Sequence, residues 1–346
     1  MSNADSPVRK QVKPEFSVRR LRGAILRSVS RSFYVSVRLL PGRLREPVGL
    51  AYLLARATDT LADTAQIAAV TRAEKLIILS NAIQGKAPAD VIVDLVASFA
   101  PLQKNPDERA LIESLPRCLE WLENLESTDR HEIRAVLEKI TLGQTLDLQR
   151  FANPAEIRAL ARAEELDEYT YLVAGCVGEF WTRLCFRHVR KFTKLSELEM
   201  SELGKRYGMG LQLINILRDA GSDLRHGRCY FPEEELTAIR MAPAAILREP
   251  DRFQPIYRKW MEKADEGIQS GMRYAKNIRN RRVRAATVLP ALIGARTLAL
   301  LRDAGATALH RQIKVPRQQV RSMISSLAIT LAARSEIDAL FERYRK

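Results

Sequence analysis

Apolar residues recur at intervals of three and four along almost the whole chain, the spacing that lines one face of an α-helix. Alternating Val/Ile/Thr runs and the Asn-Gly or Asp-Gly turns that join hairpin strands are nearly absent. The pattern predicts an all-α fold. Breakers at Pro41-Gly42, Pro88, Pro101, Asn105-Pro106, Asn153-Pro154, Pro232, Pro243, Pro250 and Pro316 divide the chain into roughly a dozen helices. No Gly/Ser-rich linker or change of composition marks a boundary, so one helical domain over residues 19–346 is expected, after a mobile basic arm over residues 1–18. Its helices could surround a cavity rather than form a simple four-helix bundle. No fixed repeat of solenoid length appears.

One local pattern occurs twice. Tyr52 to Asp63 and Gln212 to Asp223 each end an apolar helix with polar residues at three- and four-residue spacing. At 100° per residue, Asp59 and Asp63 lie one above the other on one helix face, and Asp219 and Asp223 do the same on another. Like charges so placed repel, and no Lys stands between them, so a cation is expected nearby. Mg²⁺ suits such a site, since it takes one or two carboxylates, keeps waters and completes its shell with phosphate oxygens. Two facing stripes would then clamp a diphosphate and withdraw charge from it, so that a carbon–oxygen bond can ionise. A single Asp pair is equally a solvated helix face. The neighbours weigh against that: Arg56 and Arg218 stand beside the stripes, and Tyr52, Gln212 and Asn215 extend the same faces.

Composition narrows the class. Lys and Arg number 56 against 41 Asp and Glu, a net charge of +15, and 46% of residues are hydrophobic. That excludes disordered and collagen-like chains and suggests an acidic partner: a phosphorylated small molecule, an anionic membrane or nucleic acid. The cluster Arg273, Lys276, Arg279, Arg281, Arg282 and Arg284 has no acidic residue within it and only Tyr274 as an aromatic, which fits a solvated or membrane-facing helix better than a nucleic-acid groove. Cys118, Cys176, Cys185 and Cys229 lack CxxC spacing, so free thiols in a reducing compartment are expected. The longest apolar run, Ala285 to Ala295, is too short to span a bilayer and contains Pro290, which points to a cytoplasmic protein without an integral anchor. His131, His188, His226 and His310 show neither metal nor triad spacing and read as surface or structural residues.

Taken in order, Ser30-Arg31-Ser32-Phe33, the Arg56-to-Asp63 stripe, Tyr169 with Val173-Ala174-Gly175 and Gly178, Gln212 to Asp223, and Gly227-Arg228-Cys229-Tyr230-Phe231-Pro232 resemble the squalene/phytoene synthase family. The resemblance covers most of the chain. It implies an isoprenoid synthase fold around a central cavity, in which two C15 or C20 prenyl diphosphates are joined head to head. It further implies Mg²⁺, or Mn²⁺, held by Asp59, Asp63, Asp219 and Asp223 with Asn215. Ser30, Arg31, Ser32 and Phe33 would line the diphosphate end, and Tyr52, Arg56, Gln212, Arg218 and Arg228 would contact substrate. Tyr169 matches a tyrosine tied to proton handling in the first condensation. Val173, Ala174, Gly175 and Gly178 match a stretch where a prenyl chain lies against helix backbone, although close helix packing explains small residues equally. The basic Gly227–Pro232 segment reads as a diphosphate-gripping flap or as a helix-ending turn. Asp147, after Gly143 and Gln144, resembles a further position of the family.

The first motif reads Asp59-Thr60 where phytoene and dehydrosqualene synthases usually carry Asp-Asp, which is similar to squalene synthases. That implies two farnesyl diphosphates giving presqualene diphosphate and then squalene with NADPH. No GxGxxG follows a strand. Lys314 and Arg317 resemble a basic segment linked with the nicotinamide cofactor. The segment around Val288-Leu289-Pro290 lacks the Phe-Cys pair of eukaryotic squalene synthases, so a bacterial-type enzyme fits better. The alternatives are an unreduced product such as dehydrosqualene or phytoene, hydroxysqualene from capture of the cation by water, or a basic helical binder of membranes or nucleic acid. Nucleic acid is not the partner expected; the charge excess suits a peripheral membrane position, where an apolar product leaves.

Overall fold

Among the breakers, Pro41 separates α1 (Ser32–Leu39) from the longer α2 (Gly42–Ala62), after short helical segments at Leu21–Ile25 and Leu26–Ser30. The principal helices that follow are α3 (Ala69–Ile83), α4 (Ser127–Arg150), α5 (Cys176–His188), α6 (Glu197–Arg225), α7 (Pro250–Asn277), α8 (Arg281–Ala304), α9 (Arg317–Ile329) and α10 (Arg334–Arg345). This computed structural model describes residues 18–30, 32–330 and 332–346, and of Ser32 and Ala89 the backbone alone. Residues 1–17 of the expected arm, and Arg31, lie outside the described residues.

Local chemistry sets the helix starts. Ser196 and Glu199 form a reciprocal capping box at α6, and Asn280 accepts from the Arg282 and Val283 amides at α8, satisfying N–H groups that have no intrahelical partner. Pro290 departs from the punctuation rule. It sits inside α8, where the Ala285–Ala295 run is almost wholly buried and packing holds the helix through the missing hydrogen bond. α8 with its 3₁₀ continuation to Leu309 is the one stretch among the described residues long and apolar enough to cross a membrane, and most of its apolar window is buried inside the protein.

α6 is the central spine. A Cβ on Gly178 of α5 would stand 2.0 Å from the Gly204 carbonyl oxygen of α6, and one on Gly210 would stand 2.7 Å from Cα of Gly267 in α7. These three helices therefore touch backbone to backbone. Buried apolar clusters fill both sides, one built mainly on α2 to α5 and the other on α6 to α10.

A short parallel pair, β1 (Arg158–Leu160) with β2 (Arg228–Pro232), is the one sheet among the described residues. It corrects the reading of Gly227–Pro232 as a flap. Gly227 turns the chain out of α6 at φ +80°, and Cys229, Tyr230 and Phe231 are buried in β2, so Arg228 is carried on a fixed support. The basic cluster also resolves differently. Arg284 is buried and donates to the Ile278, Arg279 and Ala332 carbonyls, while Lys276 pairs with Asp338 at 2.6 Å. Arg273, Arg279, Arg281 and Arg282 remain exposed. All four cysteines are free and buried, and His188 is held against Asp129 at 2.8 Å.

Candidate active site

The last turn of α2 presents Asp59, with Asp63 at its C-cap, and the C-terminal half of α6 presents Asp219 and Asp223. The arginines beside the stripes bind the stripes themselves. Arg56 is paired with Asp59 and with Glu108, and Arg218 Nε lies 3.0 Å from Asp219. Arg228 stands between the two stripes, attracting both Asp63 and Asp223 and lying 3.7 Å from Asp147. The fold thus makes the two Asp pairs face each other.

The electrostatics follow from crowding carboxylates into a partly dehydrated mouth. Burial pushes the Asp59 carboxyl up to about 6, with Asp63 adding to the rise and Arg56 opposing it. Asp223 is pushed up to about 7, again chiefly by burial, against the pull of Arg228 and with Asp219, Asp147 and Asp63 adding to it. Asp63 is exposed at the rim, yet lost hydration raises it too, against Arg228, Arg56 and Arg72. Asp147 of α4 is buried, accepts from Tyr230 Oη at 2.7 Å, and rises to about 6 through burial. Burial works to lower Arg228, but Tyr230, Asp147 and Asp223 outweigh it and raise it. Tyr169 is stacked on Tyr230 at 5.2 Å, and burial raises its phenol well above the ordinary value.

Beneath this rim lie two chambers of about 440 and about 450 Å³. Phe33, Tyr52, Val173, Val177, Trp181 and Gln212 line both. The first runs from Asn215 past Ala174, Gly178 and Gly208 to Tyr207 and Tyr274, with Thr287 and Pro290 of α8 on its other wall. The second contains Arg56, Asp59, Gln144 and Tyr169 and is closed by Ile140 and Phe180. The second chamber is lined by Asp59 itself, and the first by Asn215, one helical turn before Asp219. Each lies within the ~300–1,000 Å³ of a small-molecule site. Phe33 stacks on Tyr52 at 4.7 Å, and Tyr52 Oη donates to the Val29 carbonyl at 3.2 Å.

The residues expected from sequence divide accordingly. Asp59, Asp63, Asp147, Asp219, Asp223, Asn215, Gln212, Tyr169, Tyr52, Phe33, Val173, Arg56, Arg218 and Arg228 come together around the mouth and chambers. Gly175 belongs to a π-helical turn, Tyr171–Gly175, and faces Met209 of α6. Ser30 is buried with its hydroxyl bonded to the Leu26 carbonyl, and the Ser32 side chain and Arg31 are outside what is described. Lys314 and Arg317 are exposed, and neither lines the two chambers. Sequence reasoning missed Arg72, which packs against the Ala62 carbonyl and acts on Asp63, and Glu108, which binds Arg56. Neither has a sequence signal. Trp181 had one: it follows Val173 and Val177 at four-residue steps on the same face.

The donor set is oxygen only, chiefly carboxylate, and its raised carboxyl groups mark an excess of negative charge that a hard divalent cation would relieve. Among the described residues no three His, Cys, Asp or Glu side chains converge as a protein-only cage.

A model of the squalene/phytoene synthase family matches residues 26–319. The squalene synthase ERG9 of Saccharomyces cerevisiae is 30% identical over 220 residues, which is 61% of this chain and 44% of that protein. The bifunctional lycopene cyclase/phytoene synthase of Colletotrichum graminicola is 27% identical over 261 residues, 72% of this chain and 41% of that protein. This chain thus spans well under half the length of these curated relatives. Among solved structures, the complex of TcSQS with the ligand BPH1237 superposes with a TM-score of 0.76 at 19% identity, covering 95% of this chain and 90% of that one. The squalene synthase HpnC from Alicyclobacillus acidocaldarius gives 0.57 at 20% identity, covering 85% and 96%. Both carry the all-α isoprenoid synthase fold found here. With the family model matching residues 26–319, most of the chain, this chain belongs to the squalene/phytoene synthase family.

Proposed function

We propose that the chain is a squalene synthase, joining two farnesyl diphosphates through presqualene diphosphate to squalene, with Mg²⁺ (or Mn²⁺) and NADPH. The observation that carries this reading is the pair of largely apolar chambers sharing one wall, one lined by Asp59 and the other by Asn215, a turn before Asp219. Two prenyl chains would lie side by side, with both diphosphates at the acidic rim.

Asp59, Asp63, Asp219 and Asp223 would hold the metal, with Asn215, whose amide nitrogen donates to Gln212 at 3.3 Å and whose carbonyl oxygen stays out of that bond. The metal supplies Lewis-acid stabilisation of the leaving diphosphate. Arg228, fixed on β2, is the cation placed to meet phosphate between the stripes. Tyr169, kept neutral by burial, holds its phenolic proton in the second chamber beside Asp59, where it can hydrogen-bond to the departing diphosphate. The largely apolar chamber walls exclude water from an allylic cation, and the rings of Phe33, Tyr52 and Trp181 offer π faces to it. Lys314 and Arg317, exposed and without an ion pair among the described residues, suit the anionic phosphates of NADPH. The exposed arginines and the net charge of +15 suit a peripheral position on an anionic membrane.

Purified protein incubated with farnesyl diphosphate and Mg²⁺, with and without NADPH, tests this directly. Squalene formed only with NADPH is the expected outcome. Dehydrosqualene or hydroxysqualene formed regardless of NADPH would replace squalene synthesis by a sibling reaction.

A further inference from the structure

The first chamber has an inner end, lined by Tyr207, Tyr274 and Gly204, whose residues play no part in the chemistry above. Its α6 wall runs from Asn215 at the rim through Gln212 and Gly208 to Tyr207 and Gly204. Exposure falls along that path: Asn215 is exposed, Gln212 half-buried, and Tyr207 and Gly204 buried. At that depth the rings of Tyr207 and Tyr274 line the chamber, 8% and 1% exposed.

Both rings are locked. Tyr207 Oη donates to the Thr287 carbonyl at 2.8 Å. Thr182 Oγ1 gives its one proton to the Gly178 carbonyl, so Tyr274 Oη is the donor in its 2.9 Å bond to Thr182. Behind Tyr207 the chain has Gly271, where a Cβ would stand 2.3 Å from the ring. Behind Tyr274 lies Phe192, at 6.2 Å between centroids, itself packed on Phe186. Neither ring can retreat without breaking a hydrogen bond and displacing packed neighbours.

Length decides what fits in front of them. At 1.5 Å per residue, the α6 wall from Asn215 down to Tyr207 spans about 12 Å. An extended carbon chain advances about 1.2 Å per bond, as a polypeptide does over its three bonds per residue, so a C15 prenyl chain reaches about 13 Å and a C20 chain about 18 Å. The shorter chain fills the space in front of the floor; the longer one overruns it by about 6 Å.

We infer that Tyr207 and Tyr274 form a fixed floor that limits the first chamber to a C15 prenyl chain and so determine the chain-length specificity of the reaction proposed above, on which this inference rests. Thr182 and Thr287 act through them as positioning residues. Truncating either ring opens the chamber towards its packed neighbours, whereas removing only the hydroxyl leaves the floor in place.

The test compares wild type with Tyr207→Leu, Tyr274→Leu and Tyr274→Phe. Each is offered farnesyl and geranylgeranyl diphosphate in competition, and the chain length of the product is read by mass spectrometry. Binding of the matching unreactive thio-diphosphates is read separately by quenching of tryptophan fluorescence. Wild type is expected to favour the C15 substrate by on the order of tenfold or more, the range that a few methylenes command in an apolar pocket. Either leucine variant should shift the C20-to-C15 ratio upward by about tenfold in both turnover and analogue binding, while Tyr274→Phe keeps the wild-type ratio. The two leucine changes lie on different helices, so loss of folding in one leaves the other to decide. Folded variants that retain the wild-type ratio in turnover and binding overturn the inference. If wild type makes no head-to-head product from either substrate, the proposed function fails, and the analogue-binding ratios alone then decide the floor.

Discussion

At the scale of single residues, the site is a place where burial and like charge work against ionisation. Asp59 and Asp147 are raised to about 6 and Asp223 to about 7, each above the ordinary 3.8 of an aspartate. A carboxyl raised in the folded state binds its proton more tightly there than in the unfolded chain, so its stabilisation is complete below about pH 4 and is lost as the pH rises through about 6 to 7. The metal-free protein should therefore melt at a higher temperature near pH 5 than near pH 8 as far as these groups decide, and Asp223→Asn should flatten that dependence. Near pH 8, Mg²⁺ should restore part of the lost stability in wild type and less in Asp59→Asn. Melting followed by circular dichroism reads all four; equal responses in wild type and both variants would remove the electrostatic account. The aspartates were legible because helical periodicity alone puts i and i+4 on one face. Arg72, Glu108 and the Asp147–Tyr230 bond were not, because each pairs residues distant in sequence that only packing brings together.

At the scale of elements, the small-residue stretch illustrates how one segment serves two ends. Gly178 meets the Gly204 backbone, and with Val173, Ala174 and Val177 it also lines the first chamber. Close packing and a groove, competing explanations when only the sequence is read, occur together here, since side chains small enough to let backbones touch also leave a channel beside them. Gly178→Ala would place a Cβ 2.0 Å from the Gly204 oxygen and force α5 from α6. Overpacking of this kind costs about 1–3 kcal/mol, and a backbone neighbour that cannot rotate away puts this case at the upper end. The expected result is a lower denaturation midpoint together with reduced prenyl diphosphate turnover; an unchanged midpoint would show that the helices slide freely. Proline punctuation marks the starts of α2, α7 and α9, whereas the pairing of β1 with β2 has no local signal, because the strands are short and lie far apart in the chain.

At the scale of the whole molecule, the net charge of +15 is not spread as the sequence suggested. Arg284 ties carbonyls in the core, Lys276 pairs with Asp338, and Arg56 and Arg218 are engaged by the aspartates they flank. What remains for a partner includes the exposed Arg273, Arg279, Arg281 and Arg282 near the junction of α7 and α8. Each such residue near an anionic surface contributes about 1 kcal/mol, screened as the Debye length falls from about 10 Å at 0.1 M salt to about 3 Å at 1 M. Sedimentation with phosphatidylserine vesicles should show binding that weakens steeply with salt, and replacing these four arginines by glutamine should abolish most of it. Binding that ignores salt would take the charge excess out of the explanation.

The sequence by itself determined the helical class, the starts of α2, α7 and α9 and the two aspartate pairs, because each depends on periodicity and punctuation within a few residues. The tertiary structure decided that the pairs face one another across Arg228, that two chambers share one wall beneath them, and that Tyr207 and Tyr274 line the inner end of the first. Those are relations between elements far apart in the chain, set by how backbones pack around α6, and no local pattern encodes them.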